Sequence, residues 1–423
     1  MADQESIQPF KEFQDSIQSA SHDTFRLHSD ARIEGKETFE EMRSYLLTLY
    51  EGVEVPHSFL ESGGHIVDCI PAEQQPSLRN SGLKPLPPPP EPTPSESTYS
   101  GLPAFAAKNS EPPQPQLRPD YRDRFGNQMW CPAGTIPMIR TTLQQLSTHD
   151  TLHTFLHGSR RLQDSEASGA VPRTATGVGS KRYATAKQDI DNLGGFSNIN
   201  IWKPQVLGNQ AIMSQQWYQT PQQPFLTFQS VECGYQIGGG PPFDAFPRLF
   251  VYYTKRGYQP NSGGYNLVRP GFEYLTGATS VLGGALTASQ SGGNQFDYQM
   301  GFSLTGGAWW FWFNGEWIGY YRTSLFDGGR LASSAGVAAF GGESTWFGTF
   351  PPIGSGAFPT AGFGKAAYQR NVTVTPVGSS TQVVANLVPG PQFPSCFNTV
   401  IANNSPSTWG TFFLFGGPGG IQC

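Results

Sequence analysis

Histidine is missing from the last 232 residues of this 423-residue chain, Asn192 to Cys423, and so is most of the negative charge. Seven carboxylates fall there (Glu232, Asp244, Glu273, Asp297, Glu316, Asp327 and Glu343), against twenty-five in the first 191 residues. Without histidine this half can build no Ser-His-Asp triad, no Cys-His pair and no histidine-bearing zinc site. A hydrolase made from it has carboxylates to work with and little else, and neither a metal nor another cofactor is expected. Charged residues make up only 14% of the chain, and no eighteen-residue apolar run occurs. The second absence leaves no candidate membrane-spanning helix. A net charge of −5 without a basic patch argues against nucleic acid as a partner.

What is present divides the chain in two. All seven histidines (His22, His28, His57, His65, His149, His153 and His157) lie upstream of Asn192. The first 191 residues carry eighteen Lys and Arg, a net −7, and the rest carry nine, a net +2. Paired carboxylates lose their stabilising charge when protonated, so a domain with few of them has little to lose in acid. The C-terminal half reads as acid-tolerant and the N-terminal half as acidic and histidine-containing. The opening MADQESIQPFKEF is polar and is not a signal peptide, so the protein is expected either to be cytosolic or to begin after a removed signal.

Apolar residues at Phe39, Met42, Tyr45, Leu46 and Leu49 give Glu37–Tyr50 helix spacing, and Thr141–Leu156 shows a weaker version. Between them, residues 84–119 form a proline-rich tract with PLPPPPEPTP, extended and without a core of its own. Residues 158–187, rich in Ser, Gly, Arg and Ala, read as an exposed linker open to proteolysis. From about Asn192 short aromatic and β-branched runs alternate with Gly, Pro, Asn and Ser clusters. Strands are expected at Asn198–Trp202, Ala211–Trp217, Phe225–Ile237, Arg248–Thr254, Phe296–Leu304, Trp309–Phe313, Trp317–Arg322, Ala366–Val377 and Thr381–Leu387. The architecture predicted is an all-β antiparallel β-sandwich of two sheets, preceded by a smaller mixed α/β region.

The five cysteines suggest two local disulfides, Cys69 with Cys131 and Cys396 with Cys423, leaving Cys233 free, which implies an oxidising compartment. Five reduced thiols in a cytosolic protein is the alternative. In Leu226–Ile237 the period of two puts Glu232 on a face with Leu226, Phe228, Ser230 and Gly234, and Val231, Cys233, Tyr235 and Ile237 on the other. Gly234, and the Gly-Gly before Glu343, suggest backbone that something approaches closely. Glu316 after Asn314-Gly315 and Asp327 before Gly-Gly read as surface or turn residues. On spacing alone Glu273 and Asp297 remain candidates beside Glu232 and Glu343.

These segments resemble the neprosin family of secreted glutamic endopeptidases. The resemblance runs from Asn198 to Cys423 through Ile199-Asn-Ile-Trp-Lys-Pro204, Glu232-Cys-Gly-Tyr235, Pro247-Arg-Leu-Phe250, Gly263-Gly-Tyr-Asn-Leu267, Phe340-Gly-Gly-Glu343 and Phe415-Gly-Gly-Pro-Gly419. Residues Val67-Asp-Cys-Ile70 and Cys131-Pro-Ala-Gly-Thr-Ile-Pro137 resemble the family's pro-region. The resemblance implies catalytic glutamates at Glu232 and Glu343 and cleavage on the carboxyl side of proline in acid. It also implies a substrate pocket with aromatic walls, for which Tyr235 and Trp346 are the candidates. Three parts follow: an inhibitory pro-region over residues 1–157, an activation linker over 158–187 and a catalytic sandwich over 188–423. A secreted monomer acting on proline-containing peptides, with its own pro-region as intramolecular inhibitor, is expected. Departures from the family pattern are Tyr235 for a Trp, Cys233 for a small residue, and Gly264 and Arg269 where a cysteine pair usually staples a hairpin.

Histidine changes charge between pH 5 and 8, so acidification would charge the pro-region, and His149, His153 and His157, placed along one candidate helix, are the expected trigger. Two other readings fit a β-sandwich with two glutamates and nine tryptophans. One is a glycoside hydrolase using paired carboxylates, against which stands the lack of a close Glu-x-Asp-x-x-Glu cluster. The other is a non-catalytic carbohydrate- or wall-binding protein.

Overall fold

In the computed structural model, described for residues 6–28, 31–33, 35–92, 116–157, 181–208, 210–221, 224–239, 243–259, 261–345, 348–421 and 423, helices and a small sheet precede a large body of strands. Helices α1 (Phe10–Ser19), α2 (His22–Phe25) and α3 (Lys36–Leu49) come first. Helix α3 buries Phe39, Met42, Leu46 and Leu49, the stripe its three- and four-residue apolar spacing creates. Strands β1 (His57–Leu60), β2 (Ile66–Pro71) and β3 (Thr135–Ile139) pair antiparallel in that order. A disulfide joins Cys69 of β2 to Cys131.

The helix expected over Thr141–Leu156 is broken into α4 (Leu143–Ser147) and α5 (Leu152–His157). Thr142 and Gln145 form a capping box at the start of α4. The run Ser147-Thr148-His149-Asp150-Thr151 then offers the backbone competing partners, and Thr151 restarts the helix by accepting from the Thr154 N–H. His149 sits in the break, so the three histidines do not line one helix.

The strands that follow are β4 (Lys181–Asn200), β5 (Ala211–Gln219), β6 (Ser230–Gly238), β7 (Arg248–Thr254), β8 (Gly263–Tyr265), β9 (Phe272–Tyr274), β10 (Asp297–Thr305), β11 (Ala308–Phe313), β12 (Glu316–Arg322), β13 (Ala335–Thr345), β14 (Ala367–Pro376), β15 (Val383–Val384), β16 (Val388–Gln392), β17 (Asn398–Ala402) and β18 (Phe412–Gly416). Among the described residues, hydrogen bonding runs without a gap along β8-β7-β6-β5-β13-β4-β10-β11-β12-β9. The two sheets of the expected sandwich are therefore layers of one antiparallel sheet that share β4. Residues 181–192 of β4 pair with β13, and residues 194–200 pair with β10. At the changeover a Cβ on Gly194 would lie 2.0 Å from the Phe302 carbonyl oxygen, and one on Gly195 would lie 2.1 Å from that of Thr373. Only glycine fits between the strands there.

The layers meet through alternate side chains. Tyr218 of β5 stacks with Trp309 of β11 at 6.3 Å and meets Phe302 of β10 edge-on, and Tyr253 of β7 packs on Tyr321 of β12 at 5.1 Å. The buried Gln216 amide donates to the Met300 carbonyl and to Ser197 Oγ, both at 2.8 Å. Asn314 and Gly315, both at positive φ, make the β11–β12 hairpin turn as expected.

Several boundaries differ from expectation. The linker of residues 158–187 ends in strand: β4 begins at Lys181, and Ala184 and Ala186 are buried by pairing with β13 and β16. The rest of that linker lies outside the described residues. Phe225–Thr227 is a 3₁₀ turn before β6, and Thr381–Leu387 contributes only β15. Strand β13 carries few β-branched side chains, and pairing on both edges sets its conformation. A second disulfide joins Cys396 to Cys423, and Cys233 is free and buried. Among the described residues no helix is long and apolar enough to cross a membrane.

The N-terminal region docks through a buried ionic knot. Arg248 of β7, fully buried, reaches Glu61 at 2.7 Å, Asp244 at 2.5 Å and the Gly63 carbonyl at 2.8 Å. Burial works against charge on Glu61, but Arg248 and N–H bonds from His65 and Gly63 outweigh it and hold the carboxyl below its usual range. Burial, then the Arg248 charge, keeps the His65 imidazole below its ordinary value, with Asp244 and Glu61 offsetting part of this. Elsewhere Gln75 exchanges hydrogen bonds with the Tyr274 backbone at 2.6 and 3.2 Å.

Candidate active site

Residues directly opposite in an antiparallel pair share a face. Glu232 of β6 stands opposite Trp217 of β5, while Glu343 of β13 stands opposite Met213 of the same strand. Trp217 and Met213 are four residues apart, an even number, so both glutamates occupy one face with β5 between them. Gln215 lies midway, opposite Gly234 on one side and Gly341 on the other. This is the outer face of the first layer, since Val231, Cys233, Tyr235 and Ile237 turn toward the core.

The glycines beside the glutamates serve packing within the fold. A Cβ on Gly234 would lie 2.6 Å from Gln215 Cβ, and one on Gly342 would lie 2.2 Å from Ile353 Cγ2. The close approach expected of a ligand at these points is made by neighbouring strands and side chains.

Both carboxyls are buried, Glu232 at 0% and Glu343 at 2% exposure. Glu232 Oε1 accepts from Ser230 Oγ at 2.7 Å and Tyr258 Oη at 3.1 Å. Glu343 Oε1 lies 2.9 Å from the Lys181 ammonium, and its Oε2 receives a long 3.4 Å contact from the Gln215 amide. The Lys181 Nζ is 6.0 Å from the Tyr258 ring centroid. Tyr258 thus binds Glu232 through its hydroxyl and presents its ring toward the ammonium that pairs with Glu343. Tyr258 sits at φ +58°, costly for a side chain of that size, and is pinned there by its N–H bond to Thr254 Oγ1 at 3.0 Å.

Aromatic side chains pave the same face. Tyr252 stands opposite Glu232 on β7 and Tyr265 opposite Tyr252 on β8. Tyr252 and Tyr265 pack at 4.8 Å, and Phe243 and Phe250 complete the cluster. The N-terminal region covers it: His157, the last residue of α5, shares a 2.9 Å hydrogen bond with Tyr252 Oη and lies tilted against the His153 ring at 4.5 Å.

Tyr235, expected in the substrate pocket, is on the other face. It is fully buried in the core, and its hydroxyl accepts from the Trp202 N–H at 3.2 Å. The period of two already assigned it there. Trp346, the other candidate, lies outside the described residues. Burial, then the Glu232 charge, pushes the Cys233 thiol up, which leaves it a poor nucleophile at neutral pH.

The remaining carboxylates hold structure. Asp297 takes two 2.8 Å bonds from Arg370 and one from Tyr368, and Glu273 is gripped by Arg322 and Tyr320. Glu316, expected at the surface, accepts instead from the Thr279 N–H and hydroxyl and from Ser280. Asp327 takes the left-handed turn conformation and pairs with Lys255 at 3.1 Å. Ser230 was legible as a face-mate of Glu232. Gln215, Tyr258 and Lys181 were not, because only strand register and a loop bring them in.

Distant likenesses exist among solved structures. Scytalido-glutamic peptidase bound to a transition-state-analogue inhibitor aligns over 57% of this chain and 99% of its own, at 10% identity and a TM-score of 0.31. SCP-B, an eqolisin-family peptidase in complex with the tripeptide Ala-Ile-His, gives the same coverage and identity at 0.27. Scores this low carry no argument. The sequence itself does: residues 208–418 match the model of the Neprosin family, and the chain belongs to that family of glutamic peptidases.

Proposed function

We propose that the protein is a secreted, acid-active endopeptidase zymogen that cuts on the carboxyl side of proline with Glu232 and Glu343. The observation that carries this is the placement of two buried glutamates on one face of one layer, on the strands either side of β5, with Tyr258 and aromatic rings beside Glu232 and Lys181 beside Glu343. Two disulfides fit an oxidising compartment.

The reaction needs one carboxyl ionised and one protonated. The ionised carboxylate takes a proton from water as the water oxygen adds to the scissile carbonyl carbon. The other carboxyl gives its proton to the leaving nitrogen, the C–N bond breaks, and one water is consumed. The rings of Tyr252, Tyr258 and Tyr265 supply flat apolar walls for a prolyl ring. His157 stands on that surface, so residues 1–157 act as the inhibitor, and cleavage within residues 158–180 frees the site while leaving Lys181 on the enzyme.

The test is incubation of wild type and Glu343→Gln at about pH 4 with an added proline-containing peptide, followed by mass spectrometry. Wild type alone sheds its N-terminal region and cuts after proline. Equal behaviour of both, in a sample trimmed by a second protease, overturns the reading.

A further inference from the structure

A second aromatic surface lies on the outer face of the second layer, away from the glutamates. Alternation along β11, with a β-bulge in the pairing between Phe311 and Trp312, puts Trp310 and Trp312 beside Tyr320 and Trp317 of β12 there. Trp310 packs at 4.3 Å on Tyr320 and 6.1 Å from Trp317, and Trp312 lies 5.0 Å from Trp317.

Residues 84–92, LysProLeuProProProProGluPro, lie along this row. They contain no helix or strand, and only Leu86, Pro89 and Pro92 are half-buried while the six residues between and before them are exposed. That spacing of three is the repeat of a polyproline-II helix, which has three residues per turn and no internal hydrogen bonds. Its free backbone groups are read by side chains of the row. The Leu86 N–H donates to Tyr320 Oη at 2.7 Å, and Trp317 Nε1–H donates to the Pro89 carbonyl at 3.1 Å. Arg322 donates to the Lys84 carbonyl. The same Arg322 and Tyr320 are fixed from behind by Glu273, so the groove is built wholly from the C-terminal half.

We propose that this row is a binding groove for polyproline-II segments, filled here by the chain's own residues 84–92 and vacated when the N-terminal region leaves, whereupon it holds proline-rich stretches of protein substrates. The recognition chemistry is general: the aromatic cluster receives Leu86, and an indole N–H and a phenol engage the exposed backbone on either side. Release of the tract rests on the zymogen reading above, but binding by the groove does not.

The test uses the full chain carrying Glu232→Gln, to prevent cutting, and Pro87, Pro88, Pro89 and Pro90 each replaced by Ser, to loosen the internal tract. A synthetic LysProLeuProProProProGluPro peptide is titrated in while tryptophan fluorescence is followed. Saturable binding is expected, with none for a peptide whose prolines are alanines. Adding Trp317→Phe removes one hydrogen bond and should weaken binding several-fold, up to about tenfold. No saturation, equal binding of the alanine peptide, or indifference to Trp317→Phe overturns the proposal. Should the fourfold replacement unfold the chain, Leu86→Ser alone takes its place, with the same outcomes decisive. A protein that binds the peptide yet whose wild type cuts nothing would sink the peptidase reading and leave the groove standing. One that cuts but does not bind would do the reverse.

Discussion

The N-terminal region grips the C-terminal sheets on two faces, and the two grips use different forces. On the first layer it buries side chains: Glu61 enters the Arg248 knot beside His65 and Asp244, and His157 rests on Tyr252. On the second layer it lays down an extended tract held by its backbone groups, through Tyr320, Trp317 and the Arg322 guanidinium, which keeps its charge at any pH the chain meets. A buried ionic contact stores protonation-dependent energy, because the docked and free states hold different numbers of protons. A polyproline contact stores almost none. One chain can therefore let go of the first face in acid while still held on the second.

The largest break in that comparison comes from the proposed catalytic pair. Glu232→Gln or Glu343→Gln should lower peptide cleavage by about 10²–10⁴-fold while leaving both grips intact, as hydrogen exchange over β1, β2 and residues 84–92 would register. Next comes Glu61→Gln. Removing one partner leaves Arg248 short of charge in a buried site, and buried pairs broken this way cost about 3–5 kcal/mol. The expected sign is earlier release of the N-terminal region in urea, with residues 84–92 unaffected.

His65→Gln should act on pH rather than on strength. The docked imidazole sits below its ordinary value, so its contribution to docking is fully present above the free-histidine pKa, about 6.5, and shrinks as pH falls through the docked value. Glu61, also held low, keeps its full contribution above the free-glutamate value, about 4.3, and loses it as pH falls from there through its own depressed value. Docking in wild type should then weaken in two steps, and His65→Gln should erase the upper one. A release midpoint that His65→Gln leaves in place, but His149→Gln, His153→Gln and His157→Gln together lower, would return the trigger to those three histidines. The smallest effect is expected from Trp317→Phe in the otherwise native chain: about 1 kcal/mol of easier local opening at residues 84–92, equal at pH 7 and pH 5.

Much of the fold was legible where side chains carry their own signal. The stripe of α3, the aromatic strands β7, β11 and β12 and the Asn314-Gly315 turn follow from local spacing. Among the segments that escaped were β13 and the first half of β4, rich in Ala, Gly, Lys and Thr. Their conformation comes from neighbours on both edges, which no window of sequence contains. The site divides in the same way. Glu232 and Glu343 could be nominated, and Tyr235 could have been set aside by its own parity, but Lys181, Gln215 and Tyr258 enter only through register and a strained loop.

By itself the sequence determined which chemistry was open: seven carboxylates and no histidine from Asn192 onward leave a hydrolase little besides glutamate or aspartate. It also determined that the tract at residues 84–92 would be extended, because proline forbids the alternatives locally. Only the tertiary structure decided which carboxylates share a face, which are spent on arginine, and what the tract lies against. Those outcomes depend on pairing between strands more than a hundred residues apart, and the free energy of such pairing belongs to neither partner alone.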